Sequence, residues 1–307
     1  MKIPADYPVN FTEEVGKASL SDLPAMLDNA SYKELTETHK GDTTFHLLAR
    51  RGQLSLLPAD RLNPDTIKLQ NTVGATVLWL AAYYAPDTDA KDFQAIPKSL
   101  LTKENILVGA PRYSTIGEIC EKNLLAYLPE GVLDEELLCV MDRDLQPAVR
   151  ALAKNGTLNS LPRELFTDRV VACMIHEAAA YNHLKQIPEG IITQKHMELQ
   201  NGSDDTVLHV AVRHASASDS NLSSIPKEFF NLKNLTAISR KRTPLDLIIN
   251  SQLLDQVPCL NISGIIQMSK EEKEAWLVAL NGRAPVVESN LRADVSSLEK
   301  QDAWLSL

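Results

Sequence analysis

Thr43-Thr44-Phe45-His46-Leu47-Leu48-Ala49-Arg50-Arg51-Gly52-Gln53-Leu54-Ser55-Leu56-Leu57-Pro58 contains a helix, a turn and a closing phrase that the chain uses repeatedly. Phe45, Leu48 and Ala49 fall at i, i+3 and i+4, the apolar stripe of an amphipathic helix. Thr43 belongs to the residue class that caps helix starts, and Gly52 tolerates the left-handed conformation that ends them. The closing phrase is a large apolar residue, two residues of any kind, an apolar residue and proline. It recurs at Leu20–Pro24, Leu54–Pro58, Phe93–Pro97, Leu125–Pro129, Leu158–Pro162, Leu184–Pro188, Leu222–Pro226 and Leu254–Pro258. Successive prolines are 34, 39, 32, 33, 26, 38 and 32 residues apart. A period in this range marks a stacked repeat architecture whose units bury their apolar faces on one another.

The first-helix slot also reads Thr76–Ala82, Thr206–Val212 and Thr243–Ile249, and small residues at Ala49, Ala82, Ala153 and Ala179 let the next helix approach closely. Gly52, Asn123, Gly156 and Asn182 fill the turn. Proline is tolerated in the first turn of a helix, so the phrase is predicted to open a second helix. Five residues beyond the prolines stand Asn29, Asn63, Thr102, Asp134, Thr167, Thr193, Asn231 and Ser263, all of the capping class. Each unit thus reads as helix, short helix, cap and a further helical turn. No run alternates with period two, so little or no strand is expected.

The chain has 307 residues, 44% of them hydrophobic, and a net charge of -9. That charge disfavours non-specific contact with nucleic acid or anionic membrane. The opening MKIPADYPVNF lacks the apolar run of a secretory signal, and no stretch reaches the length of a membrane-spanning helix. Cys120, Cys139, Cys173 and Cys259 are widely spaced, which suits buried free thiols in a reducing compartment. A cytoplasmic, monomeric protein is expected.

Several units resemble the ankyrin-repeat family, whose signature is a Gly-x-Thr-Pro-Leu-His-x-Ala-Ala helix, a Gly turn and a second helix. Gly41-Asp42-Thr43-Thr44-Phe45-His46 with Ala49 and Gly52 carries the likeness, as do Gly74–Ala82, Asp205–Ala211 and Thr243-Pro244-Leu245. Ser114–Asn123 and Pro147–Gly156 keep only the apolar spacing and the turn residue, and the proline phrase and its cap depart from the usual pattern. The resemblance implies an all-α, ankyrin-like α-solenoid of about seven to eight helix-turn-helix repeats over residues 1–264. Residues 1–40 would be an N-terminal capping unit and 265–307 a C-terminal helical cap, or else a tail that engages a partner. A short helical turn would replace much of the family's projecting β-finger. A helical solenoid of the HEAT type is the alternative.

No P-loop, dinucleotide fingerprint or Gly-x-Ser-x-Gly occurs. His46, His176 and His209 share one slot of their repeats, which the resemblance reads as bracing neighbouring loops. Neither a catalytic centre, a metal site nor a cofactor is expected. The resemblance also places the two residues before each turn on a concave binding face. These are Arg50 and Arg51, Tyr83 and Tyr84, Glu121 and Lys122, Lys154 and Asn155, Ala180 and Tyr181, Arg213 and His214, and Asn250 and Ser251. The expected partner-binding set is Arg50, Arg51, Tyr83, Tyr84, Lys122, Lys154, Tyr181, Arg213 and His214, because Arg and Tyr dominate interface hot spots. The expected function is a non-enzymatic scaffold for another protein or peptide. Two alternatives are a binder or enzyme for a small anionic ligand on the same face and an acidic decoy that inhibits a nucleic-acid-binding protein. The inserts Ala85–Asp92 and Ala215–Asn221 read as loops that serve recognition or none.

Overall fold

The computed structural model describes residues 10–85, 90–109, 112–215, 222–240, 242–260 and 268–280, with positions 265, 282, 284, 287–293 and 295. Residues 86–89 of the first insert, 216–221 of the second, the cap position Ser263 and residues 296–307 lie outside the described residues. Every regular element among the described residues is helical. Strand-like geometry there is confined to isolated bridges such as Gln70 with Thr76 and Gln200 with Thr206.

The chain forms two compact units, Met1–Ser160 and Leu161–Leu307. In the first, the helices Phe11–Lys17, Thr44–Arg51, Val77–Tyr83, Thr115–Glu121 and Val149–Asn155 pack each on the next. In the second, Asp168–Ala180, Val207–Ala215 and Pro244–Asn250 do the same. Their interleaved faces are buried: Phe45, Leu48 and Ala49 in one helix, Val77, Leu78 and Ala81 in the next, then Ile116, Ile119 and Cys120. Full burial of one such Leu or Phe contributes roughly 1.5–3 kcal/mol. Gly52 and Gly156 end their helices at φ +67° and +71°, and Asn123 and Asn182 take the same left-handed turn.

The proline phrase does not open a second helix in most units, contrary to the helix-turn-helix expectation. Leu54–Leu56 is a single 3-10 turn, Leu57 is extended, and Pro58 sits at φ -54° and ψ 136° before a second 3-10 turn, Ala59–Arg61. Pro97, Pro162 and Pro226 take the same polyproline-like geometry. The physical cause is the residue before proline, which the ring drives out of the helical region. Only at Pro24, inside the Leu23–Asn29 helix, does the phrase lead a helix as expected, while Pro258 begins a 3-10 turn.

The cap after the proline forms at six positions. The side chains of Asn63, Thr102, Asp134, Thr167, Thr193 and Asn231 each accept a backbone N–H of the helix they start, short in every case but that of Thr167. Asn29 instead lies inside a helix, and Ser31 caps the next one with Glu34 as its reciprocal partner. Beyond the short helix, Asn71, Asp142 and Asn201 fold the chain back, each side-chain oxygen taking two backbone N–H groups two and four residues on. The unit with the 26-residue interval has no such turn. Its Thr167 cap leads straight into one 13-residue helix, Asp168–Ala180.

The Lys270–Leu280 helix begins with a capping box, Glu272 accepting the Ser269 N–H at 2.7 Å while Ser269 accepts that of Glu272 at 3.2 Å. It buries Trp276 and Leu280.

Candidate functional site

Most of the residues ahead of each turn are exposed, with Lys122, Ala180 and Ser251 half-buried, and many are engaged. Arg50 pairs with Asp42 at 3.1 Å, and Asp42 also accepts Asn71 Nδ2 at 2.8 Å. Arg51 donates to the carbonyls of Val15 at 2.7 Å and Ala18 at 3.1 Å, so it closes the C-terminal end of the Phe11–Lys17 helix. Arg213 makes a two-pronged contact with the buried Asp205, whose other partner is Ser239 Oγ at 2.8 Å. Burial alone would raise the Asp205 carboxyl. The bonds from Arg213 and Ser239 with the arginine's charge outweigh it and hold the group below the usual carboxylate range. Asn155 Nδ2 reaches the Glu121 carbonyl at 3.0 Å. Lys154, Tyr181 and His214 are exposed and Lys122 is half-buried.

Tyr83 and Tyr84 belong to a larger aromatic run, in which the i, i+4 spacing signals Trp79 and no local spacing signals Tyr113. The Trp79 ring stacks on Tyr83 with centroids 4.7 Å apart and planes 22° apart. Tyr84 meets Tyr83 edge-on at 4.9 Å, and Tyr113, from the following unit, meets Trp79 edge-on at 4.8 Å. Arg112 extends the run, its guanidinium carbon 5.5 Å from the Tyr113 centroid. Trp79 falls four residues before Tyr83 on one helix, which is why their rings meet. Tyr113 arrives from a turn that lies against Gly74, where an added Cβ would be 3.8 Å from its ring. Tyr83 and Tyr84 are 44% and 43% exposed and face solvent, while Trp79 and Tyr113 are half-buried. It unites large apolar area with hydroxyl, indole and guanidinium donors, the composition of interface hot spots.

The histidine slot is occupied as the resemblance implied. His46 Nδ1 lies 3.2 Å from the Thr43 N–H and accepts it, so Nε2 carries the proton that reaches the Leu69 carbonyl at 3.0 Å. His176 reaches the Leu199 carbonyl at 3.1 Å and His209 that of Arg242 at 3.2 Å. Burial lowers the pKa of His46 and His209, so neither is disposed to take up a proton. Of the cysteines, Cys120 and Cys139 are buried and Cys173 and Cys259 half-buried, all as free thiols. Burial pushes the Cys120 thiol far up and Cys259 to about 12, where a reactive thiolate is not formed. Burial also raises the Glu118 carboxyl to about 7, with Lys122 opposing and Glu121 and Asp142 adding to the rise. Among the described residues, no His, Cys, Asp and Glu group has the arrangement of a metal site, and no helix is long and apolar enough to cross a membrane.

Neither a scan against protein-family models nor a search of curated proteins returned a match for this chain.

Proposed function

We propose that the chain is a non-enzymatic repeat scaffold of divergent ankyrin type that captures another protein, with the Trp79, Tyr83, Tyr84 and Tyr113 run as its centre of contact. The continuous aromatic run, exposed at Tyr83 and Tyr84 and half-buried at Trp79 and Tyr113, carries this reading. Support for the repeat type comes from the sequential packing of first helices within each unit and from the histidine ties to the following turn. The proposal extends to about seven to eight such repeats with end caps and to a monomer.

The cations that favoured a small anionic ligand are less available than the sequence suggested. Arg50 and Arg213 already neutralise Asp42 and Asp205, and Arg51 holds backbone carbonyls. An aromatic platform stabilises a partner by apolar burial and stacking, with tyrosine hydroxyls available for hydrogen bonds at its rim.

The test is affinity purification with wild-type protein and with the double variant Tyr83→Ala/Tyr84→Ala, followed by mass spectrometry. A partner retained by the wild type and lost from the folded variant supports the assignment. An unchanged set of captured proteins would remove it.

A further inference from the structure

Two Asn-Gly pairs lie within the described residues, Asn155-Gly156 and Asn201-Gly202. In such a pair the glycine nitrogen closes readily on the asparagine side-chain carbon, because no Cβ obstructs the approach. The fold treats the two pairs differently. Asn201 Oδ1 accepts the Ser203 N–H at 2.8 Å and the Asp205 N–H at 3.1 Å. Negative charge gathers on this oxygen when Cγ is attacked, so the two N–H groups form an oxyanion hole. Gly202 is exposed, with nothing within 4 Å of an added Cβ. Among the described residues, neither the Gly202 N–H nor Asn201 Nδ2 has a hydrogen-bond partner. The attacking nitrogen and the leaving group are both unrestrained.

Asn155 is the reverse case. Its Nδ2 donates to the Glu121 carbonyl at 3.0 Å, and the Gly156 N–H is bonded to the Leu152 carbonyl. Asn71 has the same paired N–H bonds as Asn201, but Asp42 holds its Nδ2 at 2.8 Å. Branched Thr72 follows it, and the Thr72 N–H is bonded to the Gly41 carbonyl at 3.2 Å. Of the three, Asn201 alone joins an activated carbonyl to a free nucleophile and a free leaving group.

We infer that Asn201 is a site of spontaneous covalent modification, converting through a cyclic imide to aspartate and isoaspartate. Hydroxide removes the Gly202 amide proton, the nitrogen bonds to Asn201 Cγ, and the Cγ–Nδ2 bond breaks with release of ammonia. Water then opens the ring. Opening at Cγ leaves aspartate; opening at the main-chain carbonyl carbon leaves isoaspartate, whose backbone runs through Cγ. Aspartate suits the turn, since Asp142 fills the same slot in the first unit and accepts the N–H groups of Asp144 and Gln146 at 2.8 and 2.9 Å. Isoaspartate adds a backbone carbon and draws the former Oδ1 into the main chain, so the Ser203 and Asp205 N–H groups lose their acceptor. Asp205 then loses the turn that aims its carboxylate at Arg213 and Ser239.

The full chain is aged at pH 8, folded in one sample and unfolded in denaturant in another, and both are followed by peptide mass spectrometry. In the folded sample Asn201 should convert roughly tenfold faster than Asn155, with isoaspartate detected by isoaspartyl-specific carboxyl methylation. In denaturant the two sites should convert alike. Gly202→Ala should suppress conversion at Asn201 in the folded chain. Equal rates at the two sites in the folded chain, a rate at Asn201 that rises on unfolding, or undiminished conversion in Gly202→Ala overturns the inference. The Asn201→Asp variant should unfold close to the wild-type midpoint, and the isoaspartyl fraction isolated from aged protein should unfold earlier. An isoaspartyl fraction as stable as Asn201→Asp would overturn the consequence for the turn.

Discussion

The carboxylate of Asp92 caps the turn that begins at Leu54, one repeat earlier in the chain. Oδ2 accepts the Leu54 N–H at 2.9 Å, and Oδ1 accepts the Ser55 N–H at 3.3 Å and its hydroxyl at 3.0 Å. Asp92 is buried, so these donors replace the water it would otherwise hold. In the second unit Gln256 Oε1 does the same for the Leu222 N–H at 2.9 Å. A short 3-10 turn leaves its first N–H groups without partners, and in both cases the following repeat supplies the acceptor.

Asp92→Ala should lower unfolding free energy by about 2–3 kcal/mol, because it strands buried donors as well as removing a charge-assisted bond. Asp92→Asn keeps one acceptor and should cost about half as much. Urea unfolding followed by circular dichroism measures both.

Arg51 and Tyr84 should separate stability from binding. Arg51→Ala releases the Val15 and Ala18 carbonyls and should cost about 1–2 kcal/mol, with faster proteolysis near residue 18. Tyr84→Ala at an exposed site should change stability by less than about 1 kcal/mol while weakening partner capture. Comparable destabilisation by both would contradict the division.

Glu118 carries the clearest pH signature. Its folded carboxyl titrates at about 7 and its unfolded one near ~4.3, so the native state resists ionisation. The penalty is absent below ~4.3 and grows as pH rises towards the folded value. Glu118→Gln should therefore stabilise the protein at pH 8, by about 1–2 kcal/mol after allowance for partial solvation, and leave it unchanged near pH 4. Denaturant titrations at the two pH values make the comparison.

Asp205 should behave in the opposite sense. Its folded carboxyl lies below the unfolded value, so its contribution is complete above ~4 and is lost as pH falls through the folded value. Asp205→Asn should cost about 2 kcal/mol at pH 7, and the gap from wild type should close in acid. A gap that stays constant from pH 7 to pH 2 would count against the Arg213 and Ser239 contacts as its cause.

Two glycines test backbone against crowding. Gly41 has φ +92°, and an added Cβ would lie 2.2–2.8 Å from the Thr72 side chain. Gly131 has φ +79° with nothing within 4 Å. Gly131→Ala should cost about 1 kcal/mol for the left-handed conformation alone, and Gly41→Ala clearly more. Calorimetric midpoints rank them.

What the sequence disclosed followed from short-range chemistry. The caps at Asn63 and Thr167, the turn at Gly52 and the His46 slot each depend on one residue type at a fixed offset. The proline phrase misled because φ near -55° serves both a helix and an extended segment. Only ψ separates them, and the constraint on Leu57 was the deciding clue. Asn29 has the right type for a cap, but Ser31 with Glu34 offers two reciprocal bonds and takes the role. Arg51 reaching Val15, and Tyr113 joining Trp79, are meetings between units that no single repeat encodes.

The histidine ties end on main-chain oxygens: those of Leu69, Leu199 and Arg242. Such an acceptor exists whatever side chain its residue carries. A module held this way demands shape of its neighbour, and no particular amino acid. Modules can therefore drift apart in composition, or be exchanged in register, while the seam between them survives.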